Sequence, residues 1–213
     1  MKQAEHLSLR WRLQKGDPQR ALQVERAGLS TLGRMGLPVA RLVAAGPGFL
    51  ATAAAGEPVA EMFATHGATA EAPLAALSAA GTALAVMHGA GVAHGRPALR
   101  DACWDGHRVR FIDLEHYQPG PAAPGRMARD LLVLLHSVML MRVEPGPELA
   151  ATLAGWRAQA PPGLWDEVRR QAERLQRLRG VARVAMRLRP PAPEVAAAVA
   201  LLDWLAAGGD AAP

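Results

Sequence analysis

Two acids twelve positions apart, Asp101 and Asp113, carry the most specific chemistry in the sequence. The stretch that holds them, "VAHGRPALRDACWDGHRVRFIDLEHY" (92–117), sets the first acid on an irregular loop and the second at a strand end. Asp105-Gly106 between them reads as a two-residue hairpin turn. A hairpin of that kind folds Asp113 back beside the loop bearing Asp101. Two carboxylates brought together in this way suit Mg²⁺, which is met by one or two carboxylates plus phosphate oxygens and water. The reaction such a pair serves is phosphoryl transfer. There the metal neutralises phosphate charge, a cation tethers the phosphates and an acceptor hydroxyl is positioned.

The supporting elements are legible on either side of the hairpin. "GDP" (16–18) starts a helix, with Asp17 as its cap and Pro18 in its first turn. Leu22, Glu25, Leu29 and Leu32 follow at helical spacing, and Gly36 and Pro38 end the run. Residues 38–56 read as two short β segments around a Gly-Pro-Gly turn. The Gly46-x-Gly48 fragment there lacks the third glycine, and the helix opening directly after it, that a phosphate loop needs. Helical patterns follow Pro58 and span 73–91. Beyond the hairpin, a Pro/Gly-rich loop (118–125) leads into "RMARDLLVLLHSVMLM", apolar almost all round and so a buried helix, with His136 as a core histidine. Three more helical segments finish the chain, and no internal repeat is visible.

"HGRPALRD" has the length and frame of the kinase catalytic loop, H-R-D-x-x-x-x-N, and "FIDLE" resembles the D-F-G strand end. The chain is similar to small bacterial kinase-like proteins of the lipopolysaccharide-core kinase family, whose atypical relatives include the tRNA-modification-complex kinases. The resemblance runs over most of residues 1–142 and is specific from 92 to 134. It implies that His94 is the packed histidine of the loop, that Asp101 takes the metal-binding asparagine position and that Asp113 is the metal aspartate. Asp130, in "ARDLLVLLHS", resembles the buried helix acid that holds the loop's backbone amides. Upstream, the resemblance implies a Glu25–Lys2 pair at the nucleotide phosphates. It also implies an adenine hinge within residues 51–55, through the backbone of Ala53 and Ala55.

Two features depart from the family pattern. Arg96 stands where the catalytic aspartate would be, and a guanidinium cannot accept a proton at neutral pH. Activation of an acceptor would then fall to Asp101 or Glu115, while Arg96 itself is suited to phosphate oxygens. No glycine-rich strand pair stands before Lys2, which implies a shortened lobe or a start placed downstream of the true one.

The expected fold is α+β: a protein-kinase-like bilobal arrangement with a shortened N-terminal lobe (1–56) and a mainly helical C-terminal lobe (57–213) carrying the hairpin 92–117. The expected function is ATP- and Mg²⁺-dependent phosphotransfer to a hydroxyl on a lipopolysaccharide-core sugar or a protein Ser/Thr. The alternative is a pseudokinase, a non-catalytic binding or scaffolding module.

Bulk properties narrow the field less. The net charge is +5, the pI about 10.5, and 22 of the 24 basic residues are arginines. That balance tolerates a nucleotide, an anionic glycolipid, an acidic protein or a membrane surface alike. Eight arginines face two glutamates in 167–189, which reads as a solvated helix face with Glu–Arg pairs or as a peripheral membrane contact. Nucleic-acid binding rests on arginine content alone, without aromatic interleaving. Cys103 is the single cysteine, excluding an intramolecular disulfide and a cysteine metal site. The N-terminal residues lack an apolar signal core, and the longest apolar run (131–141) is about half a membrane span. The expected location is the cytoplasm, with the inner membrane face as the alternative. There is no H-x-x-x-H pair and no G-x-S-x-G elbow, and Ser30 and Ser137 lie in helical patterns without a nearby base.

Overall fold

The computed structural model describes residues 2–3, 17–66, 71–142, 144–188 and 192–208. Asp17 is extended and its carboxylate accepts from the Gln19 N–H, so helix α1 (Pro18–Arg34) opens with a capped turn. Leu22, Glu25, Leu29 and Leu32 form its buried face, as their spacing predicts. Gly36, at φ 73°, turns the chain away after the helix.

Two three-stranded antiparallel sheets follow. In the first, β2 (Leu42–Gly46) and β3 (Phe49–Thr52) form a hairpin, and β1 (Lys2–Gln3) pairs with the far edge of β3, giving the order β1-β3-β2. In the second, β4 (Glu57–Pro58), β5 (Ala102–Trp104) and β6 (Val109–Phe111) lie in sequence order. Gly56, at φ 118°, joins the sheets, and a Cβ there would run into the Trp104 carbonyl. Only glycine combines that backbone with that approach.

The β5–β6 turn sits one residue beyond its expected place. Trp104 pairs with Val109, and the Asp105 N–H donates to the Arg108 carbonyl, so the turn centres on Gly106 and His107. Gly106 supplies φ 98°, the positive value a type II′ turn demands of its first central residue. Asp105 instead organises the turn from its base, accepting from the His107 and Arg108 N–H groups and pairing with Arg110 at 2.7 Å. These bonds hold its carboxyl well below the usual range.

The remaining helices are α2 (Val59–His66), α3 (Glu71–Gly89), α4 (Pro124–Met141), α5 (Pro147–Arg157), α6 (Leu164–Leu188) and α7 (Pro193–Ala206). The chain is an α+β protein with helices in the majority. α3 and α5 meet through two glycines: a Cβ on Gly81 would strike the Thr152 carbonyl, and one on Gly155 the Ser78 carbonyl. The Thr82 hydroxyl lies 3.1 Å from the Gly155 carbonyl across the same seam. By length and composition α3 is apolar enough to cross a membrane, but here it is a core helix against α5.

α4 packs on α6 and α7 and buries Leu131, Leu134 and Leu135 completely. His136 is not in that core. It is half-buried, with Nε2 2.9 Å from the Glu194 carbonyl at the first turn of α7. The polar group it meets there lies at the lip of an interhelical groove, where an imidazole need not be fully desolvated.

Two contacts brace the hairpin from the N-terminal side. The Ala40 N–H donates to the Phe111 carbonyl, and the Phe111 N–H to the Pro38 carbonyl. On α1, Gly28 leaves room for Leu114 and the Tyr117 ring, which a Cβ would meet at 3.1–3.2 Å.

Candidate functional site

The loop that opens the hairpin hangs from α4 by its main chain. The Asp130 carboxylate is buried and accepts from the His94 N–H at 2.6 Å and from the Gly95 N–H at 3.0 Å. Charge-assisted bonds of this kind are about twice as strong as neutral ones. Gly95 makes the grip possible: it sits at φ 106°, and any Cβ would collide with the His116 carbonyl. Two turns further along α4, the Ser137 hydroxyl accepts from the Leu99 N–H and donates to the Leu134 carbonyl. Ser137 is therefore a brace.

His94 is fully buried, edge-on to Phe111 at 5.2 Å between centroids. Its Nε2 lies 3.1 Å from the Ile112 carbonyl, while its Nδ1 is 3.4 Å from the Arg96 N–H. The ring thus carries its proton on Nε2 and ties the loop to the end of β6. Burial lowers its pKa, against the pull of Asp130.

Behind the loop lies a residue that the sequence does not announce. The Trp156 Nε1–H donates to His88 Nδ1 at 3.1 Å, which leaves the His88 proton on Nε2, 3.7 Å from the Asp130 carboxylate. All three side chains are buried. The series Trp156–His88–Asp130–loop joins three helices across 68 residues of sequence, and neither His88 nor Trp156 carries a motif.

The hairpin brings Asp101 and Asp113 into one neighbourhood. The Ile112 N–H donates to the Asp101 carbonyl at 2.9 Å, extending the β5–β6 ladder until the two acids flank its end. Asp101 is 5% exposed, and its Oδ2 has no hydrogen-bond partner. Burial first, and the charge of Asp113 second, push its pKa up to about 6. A buried carboxylate oxygen left without a donor is costly and wants a cation or a proton. Asp113 occupies the left-handed region at φ 60°, the one non-glycine residue so placed among the described residues. Aspartate tolerates that conformation at modest cost, and such strain concentrates at functional positions.

Arg96 stands over this pair. Its guanidinium lies 3.7 Å from Asp113 and 3.4 Å from Glu115, and Glu115 also reaches His116 at 3.5 Å. Arg96, Asp101, Asp113 and Glu115 therefore form one mixed-charge cluster.

The residues expected to hold a nucleotide are less gathered. Lys2 pairs through its backbone with Leu50, and its side chain lies outside the described residues. Glu25 is buried on α1. Ala53 already donates its N–H to the Arg41 carbonyl, so only its carbonyl could meet a base. That N–H is taken because the β2–β3 ladder runs one residue further. Ala55 is buried next to the Gly56 junction. On α6, Arg169 and Arg170 pair with Asp166 and Glu167 at i, i+3, in keeping with a solvated face. The side chains of residues 178–188 lie outside the described set.

No protein-family model matches the chain. It is similar to a protein of Haemophilus influenzae (strain ATCC 51907 / DSM 11121 / KW20 / Rd) described as uncharacterized, at 27% identity over 138 residues, or 65% of this chain. The matched part covers 57% of that relative's length.

Proposed function

We propose that the chain is an ATP- and Mg²⁺-dependent phosphotransferase of the protein-kinase-like bilobal class, acting in the cytoplasm on a hydroxyl acceptor. A lipopolysaccharide-core sugar or a protein Ser/Thr is the acceptor that the resemblance implies. The observation that carries the reading is the buried, unpartnered Oδ2 of Asp101 beside Asp113. Among the described residues no group of three or more His, Cys, Asp or Glu could hold a metal. That fits Mg²⁺ better than a metal needing an all-protein cage, because Mg²⁺ completes its shell with water and phosphate oxygens. A bound ion would neutralise charge on the transferring phosphoryl group.

In this reading Asp101 and Asp113 hold the cation, and Asp130 with His94 fixes the loop that presents them. Arg96, which cannot accept a proton, binds phosphate oxygens. Asp101 is committed to the cation, so Glu115 is the acid left to receive the acceptor proton. Lys2, Glu25 and the carbonyl of Ala53 belong to the nucleotide end.

A second reading, a pseudokinase that binds without transferring, is favoured by the Arg96–Asp113 contact at 3.7 Å. There the guanidinium serves as a built-in substitute for the metal. Calorimetric titration of Mg·ATP into wild type and Asp113→Ala, followed by a phosphotransfer assay, separates the two. Binding that the variant loses, with turnover, supports the enzyme; binding without turnover supports the pseudokinase. No binding by folded wild type rules out the enzyme and leaves the pseudokinase as a scaffolding module.

A further inference from the structure

A cavity of about 170 Å³ opens between Gly95 and the first turns of α4. Its charged lining is Arg96, His116, Arg126, Arg129 and Asp130, with Gln118 at the rim. Three guanidinium groups and an imidazole thus face a single carboxylate. That carboxylate is already engaged by the His94 and Gly95 N–H groups. Glu115 partly offsets Arg96 and His116. Among the described residues, Arg126 and Arg129 have no acid within ion-pair distance.

Arginines at i and i+3 on one helix repel each other, and a fold gathers a third beside them only at a cost. An oxyanion relieves that cost, since each guanidinium can offer a carboxylate or phosphate two parallel N–H donors. The volume equals that of five or six waters at about 30 Å³ each, enough for a tetrahedral oxyanion with some hydration.

We propose that this cavity is an oxyanion-binding site that takes a phosphate-type group, with Arg126 and Arg129 as its principal donors and Arg96 as the residue it shares with the acidic cluster. The inference does not depend on a metal at Asp101 and Asp113: a cavity of this charge takes an oxyanion whether or not those acids hold one.

The test uses inorganic phosphate as the probe, titrated calorimetrically at fixed ionic strength against a chloride control. Wild type should bind saturably. Arg126→Gln/Arg129→Gln, checked as folded by circular dichroism, should bind at least tenfold more weakly. Asp113→Ala should keep phosphate binding even where Mg·ATP binding is lost, so the two sites fail separately. If the double variant does not fold, Arg129→Gln alone carries the test. Its residue is exposed on the helix, and it should weaken binding at least threefold. Absence of saturable binding by wild type, or unchanged binding in the folded variants, would overturn the proposal.

Discussion

The guanidinium of Arg96 lies 3.7 Å from the carboxylate of Asp113, across a contact only partly shielded from water, with side-chain exposures of 42% and 22%. An ion pair this exposed contributes roughly 0.2–1 kcal/mol. Arg96→Ala withdraws a competing cation from Asp113, so Mg²⁺ alone should bind about two- to fivefold more tightly. Under the proposed phosphotransferase reading Mg·ATP should bind less tightly, because Arg96 would no longer meet its phosphates. Calorimetry with and without nucleotide reads both signs, and a fall in both would contradict the competition.

Asp113 holds a left-handed backbone that glycine adopts without strain. Asp113→Gly should therefore raise stability by about 0.5–1 kcal/mol in urea unfolding while abolishing Mg·ATP binding. Gaining stability and losing binding at one position is the signature of strain kept for function. A variant that loses both would place Asp113 among structural residues instead.

The folded-state pKa of Asp101 is raised to about 6 from 3.8. The folded state therefore holds the proton more tightly than the unfolded chain. The associated stability is full below pH 3.8 and is lost as pH rises through about 6. In chelator, Asp101→Asn should be more stable than wild type at pH 7.5, by at most about 2–3 kcal/mol. The difference should vanish by pH 4. Thermal unfolding across that range checks it, and a difference independent of pH would remove the titration from the account.

Two glycine substitutions should act in opposite directions. Gly81→Ala drives a methyl into the Thr152 carbonyl on the facing helix and should cost about 2–3 kcal/mol or more. Gly33→Ala, in α1 with nothing within 4 Å of its Cβ, should gain about 0.5–1 kcal/mol from helix propensity. Urea midpoints of the two variants against wild type decide the matter.

Asp130→Ala leaves the His94 and Gly95 N–H groups without their acceptor and should cost about 3 kcal/mol or more. Hydrogen exchange at those two amides should accelerate well beyond the change in global stability. If they remain protected, the loop is held by something other than Asp130.

Local signals carried most of the secondary structure. The Asp17 cap, the 3.6-residue spacing of α1 and the glycine stops each act within a few residues, so a single sequence displays them. The loop and the two acids were legible for the same reason. What escaped was either fine register or long-range contact. Asp105 was expected inside the turn because Asp-Gly is a strong turn pair, yet its side chain is worth more as an acceptor at the base. The apolar neighbours of His136 point to the core, although α7, more than fifty residues on, offers it a carbonyl. Trp156 and His88 meet only after two helices have closed on each other, and their pairing has no local trace. Arg126 and Arg129 are at helical spacing, but nothing in the sequence brings Arg96 beside them.

Asp130 grips the loop by main-chain amides, and every residue other than proline offers the same amide. The shape of the loop is accordingly indifferent to which side chain stands at position 96. An acid there could give way to a guanidinium without any loss of support from α4. Such a frame separates the shape of a loop from the chemistry it carries: the mount stays the same whatever tool is fixed to it.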